Sequence, residues 1–177
     1  MIDTPGHGKL RLEQGLSQIS DPSIRGVIFV VDSSVLDASD TSIQRDAASY
    51  LHDVLLALQR RTIGKERSKP KPQTAVLVAA NKQDLFTSLP AGSVRERLQT
   101  EIERVRLSRR KGLSSVGQEA SHEDEDDILG GGGEEKFSFK LMKEEYSIDI
   151  DVIGGAVKGE EAGKGVRRWE EWIGSLL

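Results

Sequence analysis

The chain has 177 residues, 36% hydrophobic, 31% charged and 5% aromatic, and its 25 Lys and Arg against 29 Asp and Glu leave a formal charge of −4. That length fits one globular unit with a core of its own, and the mild acidity excludes the broad positive field of a general nucleic-acid binder. The absence of cysteine excludes a disulfide framework, a thiolate metal site and thiol-based nucleophilic catalysis. No run reaches the roughly 18 apolar residues that a membrane-spanning helix needs.

Met1 and Ile2 read as the end of a strand, because Asp3 already opens a motif. Residues 25–32 form a short β-branched run closed by an acid and read as a fully buried strand. Thr41-Ser42-Ile43-Gln44 has the form of a capping box, and Ala47, Leu51, Val54, Leu55 and Leu58 then fall on one helical face. Residues 64–73 are basic and proline-bearing, which predicts a solvated loop. Residues 74–81 repeat the buried-strand form. Ser93-Val94-Arg95-Glu96 is a second capping box. It leads into Val94, Leu98, Ile102 and Val105 at helical spacing, with Arg104, Arg106, Arg109 and Arg110 suiting the carboxyl end of that helix.

Residues 112–135 contain the acidic run His122 to Asp127 and four successive glycines, Gly130 to Gly133. Such a stretch is expected to be a disordered insertion, since it offers little apolar surface to bury. The acidic run lacks the spacing of a coordination shell and reads as solvated charge rather than a metal site. Residues 147–153 alternate polar and apolar, as a strand with one less buried face near a sheet edge does. Val166, Trp169, Ile173 and Leu176 mark a closing amphipathic helix. Alternating strands and helices predict an α/β fold over residues 1–177, a mostly parallel sheet with helices on both faces.

Two motifs carry chemistry. Asp3-Thr4-Pro5-Gly6-His7 follows the first strand end. In open parallel sheets ligands sit beyond the carboxyl ends of the strands. There Asp3 can hold Mg²⁺ directly or through water, Gly6 can offer its amide to a terminal phosphate, and His7 can orient an attacking water. Taken alone, the motif is equally a turn after a strand. Asn81-Lys82-Gln83-Asp84 directly follows the second buried strand. A carboxylate at Asp84 can accept from both the ring N–H and the exocyclic amine of guanine, a pair that adenine lacks. Asn81 can bond to the base and pin neighbouring loops, while the stem of Lys82 can lie across the base face. Alone, this run too would be a polar turn. The order of the two motifs, with a helix and a buried strand between them, is the order GTPases use.

A weaker third element is Gly154-Gly155-Ala156-Val157-Lys158-Gly159, after the alternating strand. It stands where a loop amide would meet the guanine oxygen, with Ala156 as the expected N–H donor and Lys158 beside it. Residues 159–165 imitate a phosphate loop, but they are one spacer short and Gly165 offers no hydroxyl to a metal. A linker into the last helix is the better reading. No phosphate loop occurs elsewhere in the chain.

With these residues in view, the chain resembles the beta subunits of the signal recognition particle receptor, GTPases related to the Arf and Sar families. The resemblance rests on Asp3 through Arg11 (including Lys9-Leu10-Arg11), on the strand from Val27 to Asp32, on Asn81-Lys82-Gln83-Asp84 and on the tryptophan-bearing closing helix. It implies a P-loop NTPase-type, small-GTPase-like domain truncated at its amino terminus. The membrane span, phosphate loop, switch I threonine and first strands of the family are then expected upstream of Met1. It further implies GTP or GDP with Mg²⁺ as ligands, and a place on the cytosolic face of the endoplasmic reticulum membrane. The implied partner is the receptor's alpha subunit, met through switch II at residues 4–11. The usual Gln of Arf relatives is replaced by His7, which makes slow or partner-dependent hydrolysis an expectation. Two other readings stay open: a small trafficking GTPase of Arf or Sar type, and a nucleotide-free scaffold with relic motifs.

Overall fold

The structure is a computed structural model that describes residues 1–6, 8–36, 41–63, 73–114, 127–133, 135–158 and 164–177. Its centre is a three-stranded sheet in the order β1 (Gly26–Asp32), β2 (Thr74–Asn81), β3 (Ile148–Gly154). Both pairings are parallel, with Asp32 opposite Asn81 and Ala80 opposite Gly154. All three strands therefore end on one rim. Among the described residues the longer helices that accompany them are α1 (Thr41–Ile63), α2 (Ala91–Ser114), α3 (Phe139–Tyr146) and α4 (Lys164–Gly174).

Strand alternation divides the core. Phe29 and Val31, then Val76, Val78 and Ala80, then Ile148 and Ile150 face α1, α2 and α3, where Leu51, Leu55, Val94, Leu98, Ile102 and Met142 complete the larger cluster. Leu77 and Ala79 face the opposite way and pack on Trp169 of α4, flanked by Ile153, Val166 and Trp172. Helices thus cover both faces, as the alternation predicts. On the α4 side, however, cover does not extend across β1, where Ile28 is 40% and Val30 60% exposed. The expected strand near the sheet edge is β3, which closes one side of the sheet.

Several local expectations are corrected. Met1 and Ile2 belong to no strand and are exposed. No strand among the described residues lies beside them to complete a ladder. The helix predicted from Ser93 begins two residues earlier, because Pro90 O already accepts the Val94 amide at 3.0 Å. On α1 it is Ala48 rather than Ala47 that is fully buried.

The insertion predicted over 112–135 divides. Residues 115–126 and 134 lie outside the described residues, as do most of the acidic run, the basic loop 64–72 and residues 159–163. Residues 112–114 finish α2, and residues 127–133 pack on the domain. There Leu129 is fully buried, and the Gln59 amide brackets the backbone by donating to Ile128 O at 2.9 Å and accepting from Gly130 N at 2.8 Å. Arg106, named above as part of the basic end of α2, is buried beneath the same loop and donates to Glu135 O, Gly131 O and Gly133 O. Side chains from α1 and α2 supply the partners that a glycine-rich backbone cannot supply itself.

Two helical segments had no sequence expectation. One runs through Gly8–Leu10, a π-helical stretch Arg11–Leu16 and Ser17–Ile19. The other is α3, capped by Ser138, whose hydroxyl accepts the Leu141 amide at 3.1 Å, and ended by Ser147 in the left-handed conformation.

Candidate functional site

The Asn81-Lys82-Gln83-Asp84 run leaves β2 at the carboxyl rim. Lys82 turns the chain there with φ of 67°, a left-handed conformation unusual outside glycine. Asn81 Oδ1 accepts the Lys82 amide at 2.8 Å and the Val157 amide at 3.2 Å. Because backbone N–H groups only donate, these two bonds orient the side-chain amide, and its Nδ2 hydrogens have no acceptor among the described residues. Lys82 and Asp84 are exposed at the tip, whereas Gln83 is half-buried beneath them.

Lys82 also reaches sideways, with Nζ 2.5 Å from Asp32 Oδ2 at the end of β1. Asp32 accepts the Ser34 amide at 3.0 Å and the Ser34 hydroxyl at 2.6 Å. Partial burial works to raise the Asp32 carboxyl, but the hydrogen bonds from Lys82 and Ser34 and the Lys82 charge outweigh it and hold it below the usual carboxylate range.

The third loop lies beside this turn. Gly155 O accepts the Gln83 amide at 3.0 Å and Gly155 N donates to Ala80 O at 3.0 Å. The Ala156 amide, the expected donor to a base oxygen, donates to Gly165 O at 3.2 Å, so it is engaged with the start of α4. Lys158 is exposed. Gly155 is required sterically, because an added Cβ would overlap Gly165 O and lie 2.6 Å from Trp169 Cζ2.

The first motif is tied to α1. Arg11 Nε donates to Gly6 O at 2.7 Å, its guanidinium meets Asp46 Oδ2 at 2.8 Å, and it stacks over Tyr50 at 4.7 Å from the ring centroid. Asp46 and Tyr50 lie in the first half of α1. Gly6 is thereby linked through Arg11 to α1, with open space where a Cβ would lie, so its backbone is approachable. Asp3 and Thr4 are exposed. His7, named above as the water-orienting residue, lies outside the described residues. No three His, Asp or Glu side chains gather into a metal shell among the described residues. A lone Asp3 fits only a hard cation that keeps most of its ligands from water or phosphate, as Mg²⁺ does.

The sequence model described as Signal recognition particle receptor beta subunit matches residues 1–146. The chain belongs to that family. It is 28% identical to the Saccharomyces cerevisiae signal recognition particle receptor subunit beta, across 100% of this chain and 66% of the relative. It is 29% identical to the Rattus norvegicus subunit, across 99% of this chain and 58% of the relative. The chain thus spans about two thirds or less of these relatives. Two Chaetomium thermophilum structures superpose closely. The receptor SRb-GDP-Mg structure has a TM-score of 0.83 at 38% identity, covering 99% of this chain and 79% of that one. The SRb-GTP/SRX complex has a TM-score of 0.80 at 37% identity, covering 98% and 65%. The α/β fold with its parallel sheet is that of these receptor GTPases.

For a member of this family, four residues of the site escaped the sequence reading. Asp32 was visible only as the end of a strand, and Ser33 was not singled out at all. Gln83 and Arg11 served the resemblance but received no role. Their polarity beside apolar runs was a signal, but each has a partner 35 or 50 residues away in sequence.

Proposed function

We propose that this chain is the guanine-recognising part of a signal recognition particle receptor beta subunit, a regulatory GTP-binding module. The observation that carries this reading is the Asn81 side chain, whose oxygen joins the amides of Lys82 and Val157 and whose Nδ2 is left to donate. Purine N7 is an acceptor suited to that group. Asp84 accepts from guanine N1–H and the 2-amino group, and the Lys82 stem lies against the base. Ala156 and Lys158 belong to the loop that closes the base edge. Asp3 holds Mg²⁺, directly or through water, and the Gly6 amide reads the terminal phosphate. When bound, Mg²⁺ supplies charge neutralisation at the phosphates. His7 orients the water of a slow hydrolysis.

The module's output, in this reading, is nucleotide-dependent binding of the receptor's alpha subunit through residues 4–11. That binding holds the alpha subunit at the cytosolic face of the endoplasmic reticulum membrane for co-translational targeting. The related Chaetomium structure is a complex of SRb-GTP with SRX, and that supports a partner surface on the GTP-bound subunit. The decisive experiment compares guanosine and xanthosine diphosphates on the wild type and on Asp84→Asn. Xanthine carries a carbonyl where guanine carries the 2-amine, so a carboxamide suits it and a carboxylate does not. The wild type is expected to favour the guanosine nucleotide and Asp84→Asn the xanthosine nucleotide, each by about tenfold or more. An unchanged preference would remove Asp84 from base recognition.

A further inference from the structure

The third residue of the Asn81–Asp84 run points the other way from its neighbours. Lys82 and Asp84 are exposed, but the Gln83 side chain turns into the protein, where both hydrogens of its Nε2 are used. One goes to Ser33 Oγ at 2.8 Å and the other to Leu89 O at 2.7 Å. Leu89 O can only accept, which fixes the amide orientation. Ser33 is fully buried, and its hydroxyl in turn donates to Asn81 O. The Gln83 backbone amide donates to Gly155 O at 3.0 Å. Gly154 leaves room for the side chain, since an added Cβ would come within 3.2 Å of Gln83 Cγ.

One residue therefore joins the ends of all three strands: Ser33 after β1, Asn81 of β2 through Ser33, and Gly155 after β3. It also holds Leu89, the far end of the turn that carries Asp84, while Leu85 N and Ser88 Oγ close that turn on Lys82 O. Asp84 itself sits exposed between these anchors, so its position relative to Asn81 depends on the clamp beneath it.

Resting on the guanine-binding reading above, we infer that Gln83 is a positioning residue for base specificity: it sets where Asp84 meets the exocyclic amine of the purine. Inosine diphosphate lacks that amine and keeps every other group, so the ratio of guanosine to inosine diphosphate affinity reports the placement of the Asp84 carboxylate. Gln83→Glu keeps the shape but sets a carboxylate oxygen against Leu89 O, which breaks the clamp.

Equilibrium dialysis of the full chain with each nucleotide, alongside melting temperature, tests the inference. The wild type is expected to favour guanosine diphosphate by about tenfold, and Gln83→Glu to cut that ratio at least about fivefold. In an Asp84→Ala background, Gln83→Glu should leave the ratio unchanged, because the two act through one contact. If Gln83→Glu does not fold, Gln83→Met is read by the same criterion. A residue important only for folding would weaken both nucleotides together and leave the ratio alone; that result overturns the inference. A wild type with no preference between the nucleotides overturns the guanine-binding reading and the inference with it.

Discussion

Lys82 Nζ stands 2.5 Å from Asp32 Oδ2, so the lysine at the tip of β2 is tied to the acid that ends the adjacent strand. The bond fixes the side-chain end of a lysine whose backbone is in the left-handed conformation. Lys82 is about half exposed, so solvent screens the pair.

Asp32→Asn is expected to cost about 1 kcal/mol or less, the range of half-exposed ion pairs. Its pH dependence has a definite sign. The Asp32 carboxyl is held below its ordinary value, so its contribution is complete above about pH 4 and disappears as pH falls through the lowered folded-state value. Urea midpoints of the two proteins should differ at neutral pH and converge in acid. A difference that grows on acidification would contradict the assignment.

Arg11 fastens residue 6 to α1, and removing it should free the motif without unfolding the domain. Arg11→Ala is expected to raise hydrogen exchange of the amides at residues 8–10 by about tenfold or more, with global stability changed by about 1 kcal/mol or less. Arg11→Lys should not restore protection, because one ammonium cannot serve Gly6 O, Asp46 and the Tyr50 ring with the geometry of a planar fork. Exchange mass spectrometry reads both outcomes.

Arg106 is the inward counterpart. Its guanidinium is buried and bonds Glu103 and three backbone carbonyls of the loop after residue 130. Arg106→Met should cost about 3 kcal/mol, since three loop carbonyls lose a donor and the Glu103 carboxylate loses its cation together. Calorimetric unfolding measures this, and a loss under about 1 kcal/mol would show the loop to be held mainly by Leu129.

Gly155→Ala tests the close approach of the third loop to α4. The new methyl group would collide with Gly165 O and the Trp169 ring, and because one obstacle is backbone, the loop must move. A destabilisation of about 2–3 kcal/mol is expected, with a shift in tryptophan fluorescence as the Trp169 Nε1 bond to Ile153 O at 2.9 Å is strained. An unaltered emission spectrum would mean that the loop yields without disturbing α4.

Much of the fold was legible from local pattern. The strands at 26–32 and 74–81, the alternating strand after 147 and the helix from Thr41 follow from apolar spacing that any short window reveals. The first strand, however, is exposed at Ile28 and Val30 rather than fully buried as its apolar run predicts. Helix α3 was missed because it is only eight residues long and emerges from a polar, glycine-rich stretch that dominates its surroundings. The same bias made residues 127–133 look incapable of packing.

The amino-acid order by itself determined the strand and helix rhythm and the succession of the two motifs, because hydrophobic period and turn chemistry are properties of neighbours along the chain. It also marked Asn81 and Asp84 by residue type. Only the tertiary structure decided that Gln83 faces inward to Ser33 and Leu89, that Arg11 grips residue 6, and that Arg106 and Gln59 hold the distant glycine loop. Those choices depend on carbonyls and hydroxyls brought near by packing, and a polar side chain carries no local sign of which distant group will satisfy it.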